Sequence, residues 1–387
     1  MTFFGIIIDT FTLVLLIILA INIIVLFLYY GLFYLRIGIR KEKKNEENDE
    51  ILPGVSVVLT AKNEAELLKK NLEHLLKQNY PNFEVIVINH VSRDQTRFIL
   101  QTYQDKYPNL KVVNFSQDVN LFQGKKFPLS IGIQSAKNDI ILLTECNCIP
   151  KSQSWVKEVA EQFDDNTQCV LGYSNVKTKK SLLNAFVQYD NLSYNASMFG
   201  FAMLGMPYTG CGKNLAYRRS FFFQKGGFIN HYHLPYGDDD IFINENSNRK
   251  NTNISLNNSS FINCQLKKTR KAWLQEKAKR MSTQRYYPLK NKLLLSLYPI
   301  SVVLFYASLA MLLAMNFNPV TSILCQTLIG IGLLKLGWQI FTFYKMERRL
   351  EGSNIAFFSP FFEVYFIAMN TIMYLFSLRK KMKRWKQ

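Results

Sequence analysis

The sequence predicts an α/β fold, a mixed, mostly parallel sheet with flanking transmembrane helices, and three observations carry that prediction. Apolar blocks stand at the two ends of the chain and leave a polar middle. From Val55 to Thr144, β-branched runs of strand length alternate with stretches of helical period. Polar and charged clusters follow directly on those strands, where sheets of this kind bind ligands.

The amino-terminal block, Phe3 to Leu35, is almost uninterrupted, with Asp9 as its only charge. It exceeds the roughly 20 residues that cross a bilayer and lacks the small-residue cleavage site of a signal peptide. A retained transmembrane helix over residues 1–38 is expected, followed by a charged linker over 39–52. A second block, Leu293 to Phe343, has Lys335 as its only charge, and Asn316-Phe317-Asn318-Pro319 divides it into two spans. A third segment, Asn354 to Leu378, carries Pro360 and Glu363. Those two residues favour a re-entrant or interfacial element over a third span within a membrane region of 291–387.

The net charge is +19. Much of the excess flanks the apolar blocks, at Arg36–Lys44, Lys345–Arg349 and Arg379–Lys386. Lys and Arg gather on the cytoplasmic side of membrane proteins and attract anionic lipid. Membrane lipids therefore account for the basicity, and no nucleic acid partner is expected. The same rule places the middle domain inside, although basic residues on both flanks of the third segment conflict with a simple third crossing. Six cysteines in a long chain, without disulfide-framework spacing, suit a reducing compartment.

Inside the middle, Val55–Leu59 reads as a strand, Glu64–Gln78 as a helix and Phe83–Ile88 as a strand. Asp94–Tyr107 reads as a helix, Lys111–Phe115 as a strand, Phe127–Ala136 as a helix and Ile140–Thr144 as a fourth strand. This rhythm implies right-handed crossovers and parallel pairing. The loops after the strands are Thr60-Ala-Lys-Asn-Glu64, Asn89-His-Val-Ser-Arg-Asp94 and Thr144-Glu-Cys-Asn147. Further on, Gly237 precedes three consecutive carboxylates, Asp238–Asp240. A solvated acidic turn is the plain reading of that run, but carboxylates this dense repel one another without a task or a cation.

In collinear order over about residues 53–290, V-S-V-V-L-T-A-K-N-E, E-V-I-V-I-N-x-x-S-x-D, G-K-K, L-L-T-E-C-N-C-I-P, G-C-G-K-N-L-A-Y-R-R, G-G-F and G-D-D-D-I-F-I-N resemble the family-2 glycosyltransferases. The similarity is to bacterial membrane-bound members that build cell-surface polysaccharide. It implies a GT-A fold, a Rossmann-like sheet with a D-x-D metal motif, and inverting transfer from a nucleotide-sugar donor to a lipid-linked or polysaccharide acceptor. It also implies a plasma-membrane protein with a cytoplasmic catalytic domain. A divalent cation, Mg²⁺ or Mn²⁺, suits the hard oxygen donors of such a site and would stabilise a diphosphate leaving group.

By the same resemblance, Ala61, Asn63 and Glu64 border the nucleotide, with Asn89 and Asp94 nearby. Lys125 and Lys126, after Gly124, face either the diphosphate or solvent. Glu145 and Asn147 stand at the D-x-D positions. Asp239 stands at the catalytic base, with Asp238 and Asp240 orienting base and acceptor. Gln275, Glu276, Lys279 and Arg280 cover the place of the Q-x-x-R-W acceptor and diphosphate element.

Three departures mark this chain. His90 replaces an aspartate, the D-x-D has become Glu145-Cys-Asn147, and the Q-x-x-R-W element reads Glu276-Lys-Ala-Lys279-Arg280. They leave a second possibility, a catalytically impaired membrane subunit that binds nucleotide or a partner protein. The basic stretch around Trp273, Lys267 to Arg285, also reads as an interfacial amphipathic helix.

Overall fold

A computed structural model of the chain describes residues 2–3, 6–7, 9–41, 52–115, 124–176, 181–265, 269–315 and 323–379. Most of the charged linker, the Asn316–Pro319 turn, Lys267 and the basic tail beyond Arg379 lie outside the described residues. The chain divides into two compact units. One joins Met1–Arg40 to Tyr287–Met373, and the other joins Lys41–Tyr286 to Tyr374–Gln387.

The second unit is the α/β domain. Its strands are β1 (Val55–Ala61), β2 (Phe83–His90), β3 (Leu110–Phe115), β4 (Ile140–Leu143), β5 (Cys148–Pro150), β6 (Cys169–Gly172), β7 (Ser174–Val176), β8 (Leu215–Arg218), β9 (Thr252–Ser255) and β10 (Ile262–Cys264). Seven of them form one sheet in the order β9-β6-β8-β4-β1-β2-β3. The β4-β1-β2-β3 half is parallel, as the alternation predicts, whereas β8 runs antiparallel to both β4 and β6. A smaller sheet pairs β10 with β5 and β7.

β1 is buried along nearly its whole length, which is why it reads as a continuous apolar run rather than an alternation. Helix α1 (Ala65–Leu76) buries Leu68, Leu72, Leu75 and Leu76 against the sheet. α2 (Thr96–Lys106) crosses between β2 and β3. α3 (Lys126–Gln134) leads into β4, with Pro128 in its first turn, where the missing N–H is an orphan anyway. Gly132 lets α3 lie close on the sheet, since a Cβ there would stand 2.4 Å from Ile88 Cδ1. α4 (Trp155–Ala160) buries Trp155 completely, and its indole donates to Asn214 Oδ1 at 3.1 Å.

The strand order reverses at β1 and β4. The chain steps outward from β1 to β3 and then returns to the other side of β1, so the loops after β1 and β4 open into one crevice. Three more helices reach it: α5 (Leu182–Met203), α6 (Asp240–Asn246) and α7 (Arg270–Thr283).

Among the described residues, four helices are long and apolar enough to cross a membrane: Thr10–Gly38, Leu289–Met315, Ile323–Arg349 and Ala356–Ser377. Asp9 caps the first, accepting from the Thr12 N–H at 2.7 Å, so the one charge of that block sits at a helix end. Pro360 falls in the first turn of the helix Ser359–Arg379 and does not interrupt it. Glu363 faces inward and pairs with Lys335 at 2.6 Å, both side chains being fully buried. The two charges that stand alone in the sequence thus neutralise each other. Tyr30, Tyr298, Tyr306 and Gln339 complete the network, so every one of the four helices contributes to it.

Candidate active site

The two loops that rim the crevice are stitched together. Asn63 adopts a φ of 57°, a left-handed value that asparagine tolerates. In that conformation its N–H donates to Ser92 Oγ (3.0 Å) and its Oδ1 accepts from the Arg93 N–H (2.8 Å). The Asp94 carboxylate accepts from the Ala65 N–H (3.1 Å) and the Thr96 N–H (3.0 Å). It therefore anchors the first turns of both α1 and α2, which explains why α2 begins at Thr96 rather than Asp94. The Glu64 N–H donates to Thr96 Oγ1 at 3.0 Å. Asn89 is buried, its amide donating to Asn114 Oδ1 of β3 at 2.9 Å. Ala61 closes β1 and is also buried.

Glu145 follows β4, and Lys125 precedes α3. The Lys125 ammonium lies 3.1 Å from Glu145 Oε1 and 3.1 Å from Asp238 Oδ2, so one cation bridges two carboxylates from distant loops. Burial opposes the charge on Lys125, yet Asp238, Glu145 and Asp239 outweigh it and hold its pKa well above the lysine value. Burial likewise acts to raise the Glu145 pKa, and Lys125 and Lys213 more than reverse that. Lys126 is placed differently from its neighbour. Its ammonium is buried and donates to the backbone carbonyls of His231 (2.6 Å) and Leu234 (3.1 Å), and burial lowers its pKa to about 8. A diphosphate contact for Lys126 is therefore corrected to a structural tie. Helical phase at the start of α3 sends the two adjacent lysines in different directions.

Gly237, at φ 98°, turns the chain so that Asp238–Asp240 enter the crevice ahead of α6. Asp239 accepts from the Gly212 N–H (2.8 Å) and the Asp240 N–H (2.8 Å). Burial and the charges of Asp238 and Asp240 raise its pKa to about 7, against the pull of Lys125. Asp240 accepts from the Thr283 hydroxyl of α7.

α7 carries the residues assigned to the acceptor element, and they diverge. Glu276 pairs with Lys213 at 2.9 Å, Lys279 lies over the Tyr236 ring, and Arg280 pairs with Asp190 at 3.1 Å while stacking on Tyr194. Gln275, one turn before Lys279 on the same helix, is exposed. Asp190 of α5 also binds the buried Lys277 and accepts from the Trp273 indole at 3.3 Å. Sequence reasoning missed Asp190, Tyr194, Lys277 and Thr283, whose partners lie far away along the chain. Lys213 and Gly212 were within reach, because they lie in the quoted G-C-G-K-N stretch.

The donor set fits a divalent cation only in part. Glu145 offers one carboxylate and Asn147 one carbonyl oxygen, and the latter already accepts from the Cys148 thiol at 3.3 Å. Among the described residues, no group of three or more His, Cys, Asp or Glu is placed to hold a metal. A cation that takes six oxygens must draw most of them from a bound diphosphate and water.

A carboxylate held near neutral pKa, beside a bridging lysine in a switch-point crevice, marks this place as the candidate active site of an α/β enzyme. The comparisons place it further. Residues 56–223 match the family model described as glycosyl transferase family 2. Over those residues the chain resembles a family-2 glycosyltransferase domain. It is 26% identical over 225 residues to the probable glycosyltransferase YdaM of Bacillus subtilis, covering 54% of this chain and 52% of that one. It is 26% identical over 167 residues to poly-beta-1,6-N-acetyl-D-glucosamine synthase of Staphylococcus aureus, covering 42% of this chain and 39% of that one. The chain therefore spans about half the length of the first relative and less of the second. Among solved structures, the mannosyltransferase PcManGT of Pyrobaculum calidifontis, in complex with GDP-Man and Mn²⁺, matches with a TM-score of 0.53. That match has 18% identity and covers 91% of this chain and 99% of that one, which establishes the common fold.

Proposed function

We propose that this chain is a membrane-anchored, inverting glycosyltransferase. It moves a sugar from a nucleotide-sugar donor to a lipid-linked or polysaccharide acceptor in cell-surface glycan synthesis. Its place is the plasma membrane, with the catalytic domain on the cytoplasmic side, the side on which Lys and Arg such as those of Arg36–Lys44 gather. The observation that carries the reading is Asp239: a half-buried carboxylate between the buried Asp238 and Asp240, with a pKa near 7, held in orientation by two backbone N–H groups.

Asp239 takes the proton from the acceptor hydroxyl as its oxygen bonds to the anomeric carbon, and the bond from that carbon to the diphosphate breaks. The nucleoside diphosphate leaves with the electron pair. A base matched to working pH contributes about 10²–10⁴-fold. Asp240, fixed by Thr283, and Asp238, fixed by Lys125, keep the cluster in register. Lys125 and Lys213 supply positive charge to the crevice. When bound, a divalent cation would neutralise leaving-group charge, with Glu145 and Asn147 as its protein ligands. Ala61, Asn63, Glu64, Asn89 and Asp94 shape the nucleotide side, the last two through the scaffold rather than by contact.

The test is nucleoside diphosphate release by full-length protein in lipid, offered UDP-, GDP- and TDP-sugars with Mg²⁺ or Mn²⁺ and acceptor lipids. Release with one donor class, reduced at least 100-fold by Asp239→Asn, is expected. Asn147 in place of a second metal carboxylate favours one other reading, a non-catalytic nucleotide-binding subunit. Thermal stabilisation by nucleoside diphosphate without turnover would select it.

A further inference from the structure

We propose that Lys125 is the resident cation of the diphosphate subsite, so that this chain holds a nucleoside diphosphate without requiring a divalent metal. The inference rests on the transferase reading and changes what that reading asks of the metal.

The charges decide it. A pair of metal-binding aspartates carries two negative charges and suits a divalent ion. Here Asn147 removes one of them, and the remaining carboxylate, Glu145, is met by a single positive charge at 3.1 Å. A divalent ion would have to share Glu145 with that ammonium, which holds Oε1, and find most of its other ligands outside the protein, since no group of three or more acidic, His or Cys ligands is in place among the described residues. Lysine needs no such assembly. Its ammonium carries three N–H donors, of which Glu145 and Asp238 engage two. The side chain remains 35% exposed on the crevice side, so a phosphate oxygen can reach it. Lys213 stands as a second fixed cation, paired with Glu276 at 2.9 Å.

The arrangement also couples leaving group and base. Lys125 touches Asp238 directly and lowers the Asp239 pKa. Drawing the ammonium toward a diphosphate weakens its hold on the carboxylate cluster, and Asp239 becomes more basic once donor is bound.

The experiment is calorimetric titration of full-length protein in detergent with UDP, GDP and TDP, in EDTA and in Mn²⁺. For whichever diphosphate binds, wild type should bind in EDTA within about tenfold of its affinity in Mn²⁺. Lys125→Met should lose about 10- to 100-fold in EDTA, the worth of a charge-assisted contact. Lys125→Arg, which keeps the charge, should retain binding and show that the loss is not misfolding. Asn147→Asp should increase the gain from Mn²⁺ by restoring the second carboxylate. Binding only in Mn²⁺, with Lys125→Met no weaker than wild type, overturns this inference and leaves the transferase standing. No binding of any diphosphate under either condition overturns both.

Discussion

Asparagine at Asp190 removes the counter-charge of two cations at once, and the structure sets the size of the effect. The Lys277 side chain is 4% exposed and has Asp190 as its ion-pair partner. Arg280 is 31% exposed and keeps its contact with the Tyr194 ring. Breaking a buried pair by removing one member costs about 3–5 kcal/mol, whereas the part-exposed arginine adds about 0–1 kcal/mol. For a domain of 150–250 residues, each kcal/mol moves Tm by about 2–4 °C. Asp190→Asn should therefore lower the transition of the α/β domain by about 6–24 °C. The pH dependence has a definite sign. Burial already holds the Lys277 pKa below the lysine value against the pull of Asp190, and removing Asp190 lowers it further. Between that value and the unfolded one, the unfolded chain binds more protons, so stability rises with pH. The deficit should shrink from pH 7 to pH 9. Thermal unfolding followed by tryptophan fluorescence reads it, since Trp273 contacts Asp190 directly. Asp190→Leu combined with Lys277→Met should recover most of the loss. A shift under about 2 °C, or a deficit that neither shrinks with pH nor is repaired by the double variant, would refute the argument.

Other consequences are equally direct. With Asp239 as base and its pKa near 7, kcat/KM should rise with pH through about 7 and level off above, a limb that Asp239→Asn removes. The same raised pKa means that ionising Asp239 destabilises the fold between about pH 4 and pH 7. Asp239→Asn should accordingly raise Tm at pH 8 and leave it unchanged at pH 4. In the apolar helices, Lys335→Met should strand Glu363 and lower the amount of folded protein in membranes, while Lys335→Met with Glu363→Gln restores it, as read by detergent-resistant unfolding.

The α/β domain was legible because its signals are local. β1 to β4 and α1 to α3 appear within two residues of where hydrophobic period puts them, and the post-strand loops do meet in one crevice. α5 was not anticipated, and its composition explains why. It buries Asn184, Gln188, Asp190 and Asn195 alongside its apolar residues, so no clean apolar stripe marks it. The roles of Lys126 and Gln275 were invisible for another reason. Spacing shows that a residue is near a motif, but not which way its side chain leaves the backbone. The Lys335–Glu363 pair was hidden in the same way: Glu363 was weighed against a membrane span on its own, because a sequence does not display the partner across 28 residues.

The four-helix polar network also orders events in time. Lys335 is synthesised before Glu363, and a lone ammonium at the centre of a bilayer costs about 2.5–3.5 kcal/mol on insertion scales. Until the helix that carries Glu363 emerges, the hydroxyl of Tyr306 and the amide oxygen of Gln339 are what Lys335 can lean on. When Glu363 arrives it meets Lys335, Tyr30 and Tyr298 together. The segment that carries Glu363 thus closes the bundle, and Tyr30 of the helix Thr10–Gly38 supplies one of its bonds. Assembly of these four helices therefore waits on synthesis of the segment that carries Glu363.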